Sequence, residues 1–224
     1  MSKVTVIIPS YKRAILLEEI LNALIIQKGI FEILIIDSQS NDGTKEIVSK
    51  FNRNSGINIK HFDVPNNVSL KRNKGILEAK THNLIFLDDD CVPNHNFVDE
   101  HLSSLLNDPN SVHCGNIFFP KDKVSASNYI RYKESRHLKY RYEYNQSNLD
   151  FRSIVTMNMS VNKNVILENN LYFREDFIGY GMEDNEYGCQ IMDAGIQIKR
   201  CKASIRHMEN NDPSLFTKKI FHTA

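Results

Sequence analysis

Leu84-Ile85-Phe86-Leu87-Asp88-Asp89-Asp90, followed at once by Cys91-Val92-Pro93, is an apolar run that ends in three acids. Four apolar residues between Asn83 and the acids read as a short buried strand. The carboxylates then gather at its C-terminal mouth, where open α/β sheets bind ligands. Adjacent carboxylates raise one another's pKa unless a cation lies among them. Hard oxygen ligands so arranged suit Mg²⁺ or Mn²⁺, and such an ion suits a phosphate-bearing substrate. A polar strand end that caps the next helix is the competing reading, and the triplet alone does not separate the two.

Working outward, strand-like and helix-like patterns alternate. Val4-Thr5-Val6-Ile7-Ile8 is β-branched and ends at Pro9-Ser10, and residues 14–26 carry apolar side chains at helical spacing with Glu18 and Glu19 on the polar side. Ile33-Leu34-Ile35-Ile36 ends at Asp37; the polar loop Ser38-Gln39-Ser40-Asn41-Asp42-Gly43 then leads into a helix from Thr44 to about Phe51. A third strand over 57–64 and a helix over about 70–80 precede the acid-bearing strand, and Asn94 is placed to cap a helix running toward Leu106. Continuous apolar strands separated by helices imply an α/β fold with a mostly parallel sheet covered on both faces. Ligand-binding residues should collect after the strand ends, at 9–13, 37–42 and 88–90.

The second half is less regular. Over 121–144 seven Lys/Arg stand against three Asp/Glu, interleaved with Tyr129, Tyr132, Tyr140 and Tyr144 close to one helical face. Two readings stay open: a solvated helix that packs its tyrosines on the core, or an amphipathic helix that lines a groove or touches an anionic surface such as a membrane. Residues 154–161 read as a further strand, and 183–194 as a helix that stops at Gly195. No internal repeat or low-complexity linker divides the chain, so a single domain over 1–224 is expected.

With 224 residues, 41% hydrophobic content and 25% charge, the chain has the composition of an ordinary soluble protein. A formal net charge of +1 gives no support to a nucleic-acid partner. Cys91, Cys114, Cys189 and Cys201 are scattered without Cys-x-x-Cys spacing. That argues against a zinc site and a disulfide framework, and for free thiols in a reducing cytosol. Met1-Ser2-Lys3 runs into a strand pattern without a signal-peptide core, and no apolar stretch approaches the roughly 20 residues that span a bilayer. A cytoplasmic location is expected.

Val6-Ile7-Ile8-Pro9-Ser10-Tyr11-Lys12-Arg13, then Ile36-Asp37-Ser38-Gln39-Ser40-Asn41-Asp42-Gly43-Thr44, then Lys71-Arg72-Asn73-Lys74-Gly75, then Phe86-Leu87-Asp88-Asp89-Asp90 resemble, in order and spacing, the family 2 glycosyltransferases of GT-A fold. Downstream, Gly179-Tyr180-Gly181-Met182-Glu183-Asp184-Asn185-Glu186-Tyr187-Gly188 resembles the Gly-Trp-Gly-Gly-Glu-Asp block of galactosyltransferase C-terminal regions, found also in bacterial chondroitin-polymerase-like enzymes. The resemblance covers residues 3 to 208. It implies a Rossmann-like GT-A domain, with a nucleotide-sugar-binding half over about 1–118 and an acceptor-binding half over about 119–224. It also implies a metal-dependent, inverting hexosyltransferase that carries a sugar, galactose or N-acetylgalactosamine by the Glu-Asp block, from a UDP-sugar to a glycan or glycoconjugate. The implied setting is bacterial surface-glycan assembly, in the cytoplasm or at the inner membrane surface.

The resemblance also implies residue roles. Asp90 is the direct metal ligand, Asp88 holds the donor ribose or the metal's waters, Asp89 is supporting, and His207 in Ser204-Ile205-Arg206-His207-Met208 completes the metal shell. Taken alone, a lone histidine after an apolar residue reads as structural. Asp184 is the base that takes the proton of the acceptor hydroxyl, with Glu183 an acceptor contact; on spacing alone, two acids in a first helical turn read as a cap. Pro9, Tyr11 and Arg13 hold the uracil or pyrophosphate, Asp37 contacts the uridine, and Arg72 and Asn73 fit an Arg-Asn-x-Gly pattern. A guanidinium suits diphosphate oxygens, and Lys71 beside it equally reads as a solvated helix charge.

Two departures bear on specificity. Many family members carry two consecutive acids where this chain has Asp37-Ser38, and Tyr180-Gly181-Met182 replaces Trp-Gly-Gly. Tyr180 keeps an aromatic platform for a sugar, while Met182 adds bulk. A Mg²⁺-dependent nucleotidyltransferase or phosphatase would need a Gly-rich phosphate loop or a nucleophile, and neither is found. A two-carboxylate hydrolase is disfavoured because one acid pair is committed to metal. A carbohydrate-binding or scaffold module with a degenerate site is the non-catalytic alternative; Asp88, Asp90, Asp184 and His207 together speak against degeneracy. The motifs carry no information on oligomeric state.

Overall fold

Alternation of β-branched runs with amphipathic segments produces the expected β-α order through the first half. The computed structural model describes residues 3–141, 149–177 and 181–208. β1 (Val4–Pro9), α1 (Ala14–Ile25), β2 (Ile30–Asp37), α2 (Thr44–Asn54), β3 (Asn58–Asp63), α3 (Val68–Glu78) and β4 (Asn83–Leu87) follow one another. β5 (Cys91–Pro93), α4 (Phe97–Asn107), β6 (Val112–Phe118), α5 (Lys121–Ala126), α6 (Asn128–Arg141), β7 (Asn158–Asn162), α7 (Lys163–Glu168), α8 (Glu183–Asp193) and β8 (Ile198–His207) complete the described elements. They form one sheet in the order β3-β2-β1-β4-β7-β6-β8-β5. The β1/β2, β1/β4, β2/β3 and β6/β8 pairings are parallel, whereas β4/β7, β6/β7 and β5/β8 are antiparallel.

Strand periodicity sorts the apolar side chains into two cores, one on each face of the sheet. Val4, Val6 and Ile8 of β1 and Ile85 and Leu87 of β4 join Leu17, Ile20 and Leu24 of α1 on one face. Ile7, Leu84 and Phe86 point the other way, toward Ile76 of α3 and Tyr187 and Ile191 of α8. Each fully buried aliphatic chain contributes about 1.5–3 kcal/mol relative to exposure, so both faces hold the mouths of β1, β2 and β4 in register. On the second face α3 lies directly on β1: a Cβ at Gly75 would stand 2.3 Å from Ile7 Cγ2.

Several expectations are corrected. Asn94 does not cap α4; Asn96 is the N-cap residue, and Asn94 is tied to β8 through Ser204, with Nδ2 donating to Ser204 Oγ at 2.6 Å. The strand expected over 154–161 begins only at Asn158, because Phe151–Ser153 forms a 3-10 turn and Ile154 and Val155 enter the core from a loop. Among the described side chains of α6, Ile130 is fully buried. Tyr129 packs partly on the core, Tyr132 is exposed, and the side chains of Tyr140 and Tyr144 lie outside the described residues. No helix among the described residues is long and apolar enough to cross a membrane.

Candidate active site

The acid triplet turns the chain from β4 into β5, and each carboxylate finds different company. Asp89 is buried and joins the mouth to the loop after β1: its Oδ2 accepts from the Tyr11 N–H and its Oδ1 from Arg13 Nη1, both at 2.9 Å. Burial pushes it up to about 6 despite Arg13. Asp90 accepts a close hydrogen bond from Arg13 Nη1 on Oδ2, and the same oxygen lies 3.4 Å from His207 Nε2. Burial opposes its charge, but the His207 imidazole and the Arg13 guanidinium outweigh it and hold Asp90 well below the usual carboxylate range. Asp88 accepts from Arg72 Nη2 at 3.3 Å, and burial raises it against that pairing.

His207 arrives through strand pairing. It is the last residue of β8 and stands opposite Cys91 of β5, and the next N–H, from Met208, donates to the Asp90 carbonyl at 2.7 Å. Phe119 packs on its ring at 5.2 Å, and His207 Nδ1 is buried without a hydrogen-bond partner among the described residues. Asp90, Cys91 and His207 offer atoms that all lie within 4.8 Å of one another. Burial raises the Cys91 thiol, whose Sγ donates to Asp90 Oδ1 at 3.5 Å, and a soft sulfur suits a hard cation poorly, so Asp90 and His207 are the candidate donors. A carboxylate, an imidazole and substrate phosphates make a fitting set for Mn²⁺ or Mg²⁺. Asp37, His61 and Asp63 also cluster, but Ser40 donates to both oxygens of Asp37 and Lys45 pairs with Asp63 at 2.7 Å.

On the far side of Asp88, Arg72 clasps a second acid group. Its buried guanidinium gives Nη1 to Asp184 Oδ1 at 3.3 Å, lies 3.6 Å from Glu183 Oε1, and rests 5.3 Å above the Phe173 ring. Phe173 stacks on Tyr187 of α8 at 3.9 Å. Glu183 and Asp184 open α8 after two left-handed residues, Gly181 (φ 99°) and Met182 (φ 71°), so the helix dipole favours their charge. Thr156 Oγ1 donates to Asp184 Oδ1 at 2.6 Å, while among the described residues Oδ2 receives a long bond of 3.4 Å from the Thr156 N–H. Burial, Glu183 and Asp88 push Asp184 up to about 6 against the pull of Arg72 and Thr156.

The expected residues therefore divide. Those at the mouth fall into two bonded groups that meet at the acid triplet, Tyr11, Arg13, Asp89, Asp90 and His207 in one and Asp88, Arg72, Glu183 and Asp184 in the other. Asn73 faces away from both, exchanging hydrogen bonds of 2.8 and 2.9 Å with the Phe173 backbone and bracing α3 against the segment before α8. Pro9 ends β1 in the core, and Asp37 is buried, with Ser40 joining it to the Lys12 N–H at 2.7 Å. Tyr180 lies outside the described residues. Lys71 is corrected from a solvated charge: its ammonium is buried, donates to the Ser10 carbonyl at 2.8 Å, and is pushed down to about 8 by burial. Thr156 was not expected; a lone threonine inside Ile154-Val155-Thr156-Met157 was its signal.

Comparison with known proteins identifies the family and the fold. Residues 5–168 match the family described as Glycosyl transferase family 2. Glycosyltransferase AglE of Haloferax volcanii is 33% identical over 132 residues, which cover 56% of this chain and 43% of that protein. Chondroitin synthase of Escherichia coli is 25% identical, over 91% of this chain and 34% of its own length. The structure of S. aureus TarS 1–349 in complex with UDP-GlcNAc superposes with a TM-score of 0.67 at 18% identity, covering 97% of this chain and 64% of that one, and at that identity it shows a shared fold. The chain spans less than half the length of the curated relatives it matches.

Proposed function

The chain belongs to glycosyl transferase family 2 and is a glycosyltransferase, and from that premise we propose that it carries a sugar from a UDP-sugar to a glycan or glycoconjugate hydroxyl, with a divalent cation and with inversion. The observation that carries the reading is the pair of acid groups on either side of Arg72. One, Asp88, Asp89 and Asp90, is gathered with Arg13 and His207; the other, Glu183 and Asp184, is braced by Thr156. Galactose or N-acetylgalactosamine is the proposed sugar, on the Glu-Asp block. The UDP-GlcNAc bound by TarS supports a uridine donor, and the basic segment 121–144 supports acceptor or peripheral membrane contact at the cytoplasmic face.

Asp90 and His207 would hold Mn²⁺ or Mg²⁺, which when bound neutralises charge on the departing diphosphate. Tyr11, Arg13 and Asp89 line the donor side of the mouth, with Pro9 and Asp37 shaping the base-side loops. Asp184 takes the proton from the acceptor hydroxyl as that oxygen attacks. Its Oδ1 is engaged by Thr156 and Arg72, which leaves Oδ2 the freer oxygen to receive it. A carboxylate with a pKa near 6 is ionised at neutral pH yet a stronger base than an ordinary one. Glu183 supplies a second contact for the acceptor.

Incubation with UDP-galactose, UDP-N-acetylgalactosamine and UDP-GlcNAc, oligosaccharide acceptors and Mn²⁺ tests the reading by UDP release. Release that requires acceptor and stops with EDTA is expected. Turnover indifferent to EDTA, or none with any UDP-sugar, would overturn it.

A further inference from the structure

We propose that the Arg13 guanidinium and the divalent cation are alternative occupants of one Asp90 oxygen, so that binding the cation releases Arg13 toward the donor diphosphate; this rests on the reading of Asp90 and His207 as metal ligands. Arg13 Nη1 touches Asp90 Oδ2 and lies 2.9 Å from Asp89 Oδ1. His207 Nε2 faces that same Asp90 oxygen from the β8 side at 3.4 Å. An ion held between Asp90 and His207 would draw on the same carboxylate oxygen that carries the guanidinium, so the two cations would compete for it. Arg13 is therefore a built-in counter-cation for three crowded acids.

The exchange asks little of the fold. The Arg13 backbone is fixed as the N-cap residue of α1, where its carbonyl accepts from the Leu17 N–H at 2.9 Å, so only side-chain torsions need to change. The side chain is about one-third exposed (35%), which leaves it a way out. Once Nη1 leaves Asp90 Oδ2, the guanidinium donors can turn to phosphate oxygens, for which a planar fork is well matched. Cation and nucleotide then assist each other: the ion frees Arg13, and a diphosphate gives it a new partner. Lys12 provides the control, since its ammonium lies 5.2 Å over the Tyr11 ring.

Mn²⁺ alone, titrated calorimetrically into the full chain without nucleotide, tests the exchange. Arg13→Gln is expected to bind Mn²⁺ about ten-fold more tightly than the unaltered protein, and Lys12→Gln within about two-fold of it. UDP should raise Mn²⁺ affinity more in the unaltered protein than in Arg13→Gln. Arg13→Lys, which keeps the charge but not the fork, should fall between the two. Unchanged or weaker Mn²⁺ binding by Arg13→Gln, or equal tightening by Lys12→Gln, would overturn the exchange while leaving the metal site standing. Absence of Mn²⁺ binding in both the unaltered protein and Arg13→Gln would overturn the metal reading and the exchange together.

Discussion

Asp184 holds a carboxylate whose two oxygens are not equivalent, and chemistry at this residue follows from that asymmetry. Asp184→Asn should leave UDP binding intact and reduce transfer by about 10²–10⁴-fold, the range for loss of a positioned base. A base with its pKa raised to about 6 is protonated and inert below that value, so kcat should fall as pH drops through about 6. Thr156→Val removes a donor that stabilises the ionised form; the acid limb should then move to higher pH, and a limb that stays in place would deny Thr156 this role. At this scale the acids and His207 were named from motif order, because charge has few reasons to cluster at a strand mouth. Lys71 and Thr156 escaped because their roles depend on burial and on a neighbour more than 25 residues away, which local spacing does not carry.

Two close approaches between elements set the geometry. α3 brings Arg72 over the mouth only because Gly75 lets it lie on Ile7. Gly75→Ala should cost about 1–3 kcal/mol in urea unfolding, even after the roughly 1 kcal/mol gain in helix propensity, and combined with Ile7→Ala, which removes the clashing Cγ2, it should cost less than the sum of the two single changes. α8, which carries Glu183 and Asp184, approaches the 3-10 turn so closely that a Cβ at Gly188 would lie 2.4 Å from the Phe151 carbonyl. Gly188→Ala should therefore lower transfer far more than UDP binding; equal losses in both assays would contradict this. The N-terminal strands were legible as continuous apolar runs. β6 and β8 were not read, since buried His113 and Asn116 interrupt the first and charged Lys199, Lys202 and Arg206 alternate with core residues in the second. The alternation Cys201, Ala203, Ile205, His207 was the available signal.

For the whole molecule, the sheet order explains why one site draws on the entire described chain. β7 enters antiparallel beside β4, which carries the second-half strands to the edge where β8 meets β5 and sets His207 beside Asp90. α8 reaches the same mouth from the other face and sets Asp184 beside Arg72. Motif order made the fold class legible. The β5/β8 pairing was not, because register between distant strands is decided by packing rather than by local pattern. The central claim is a donor site completed by a divalent ion at Asp90 and His207. Calorimetric titration with UDP, with Mn²⁺ and then with EDTA, tests it most directly in the unaltered protein and in Asp90→Ala. Micromolar UDP binding that needs Mn²⁺ and disappears in Asp90→Ala is the predicted result; UDP binding of equal strength without metal, or undiminished in Asp90→Ala, would contradict the account.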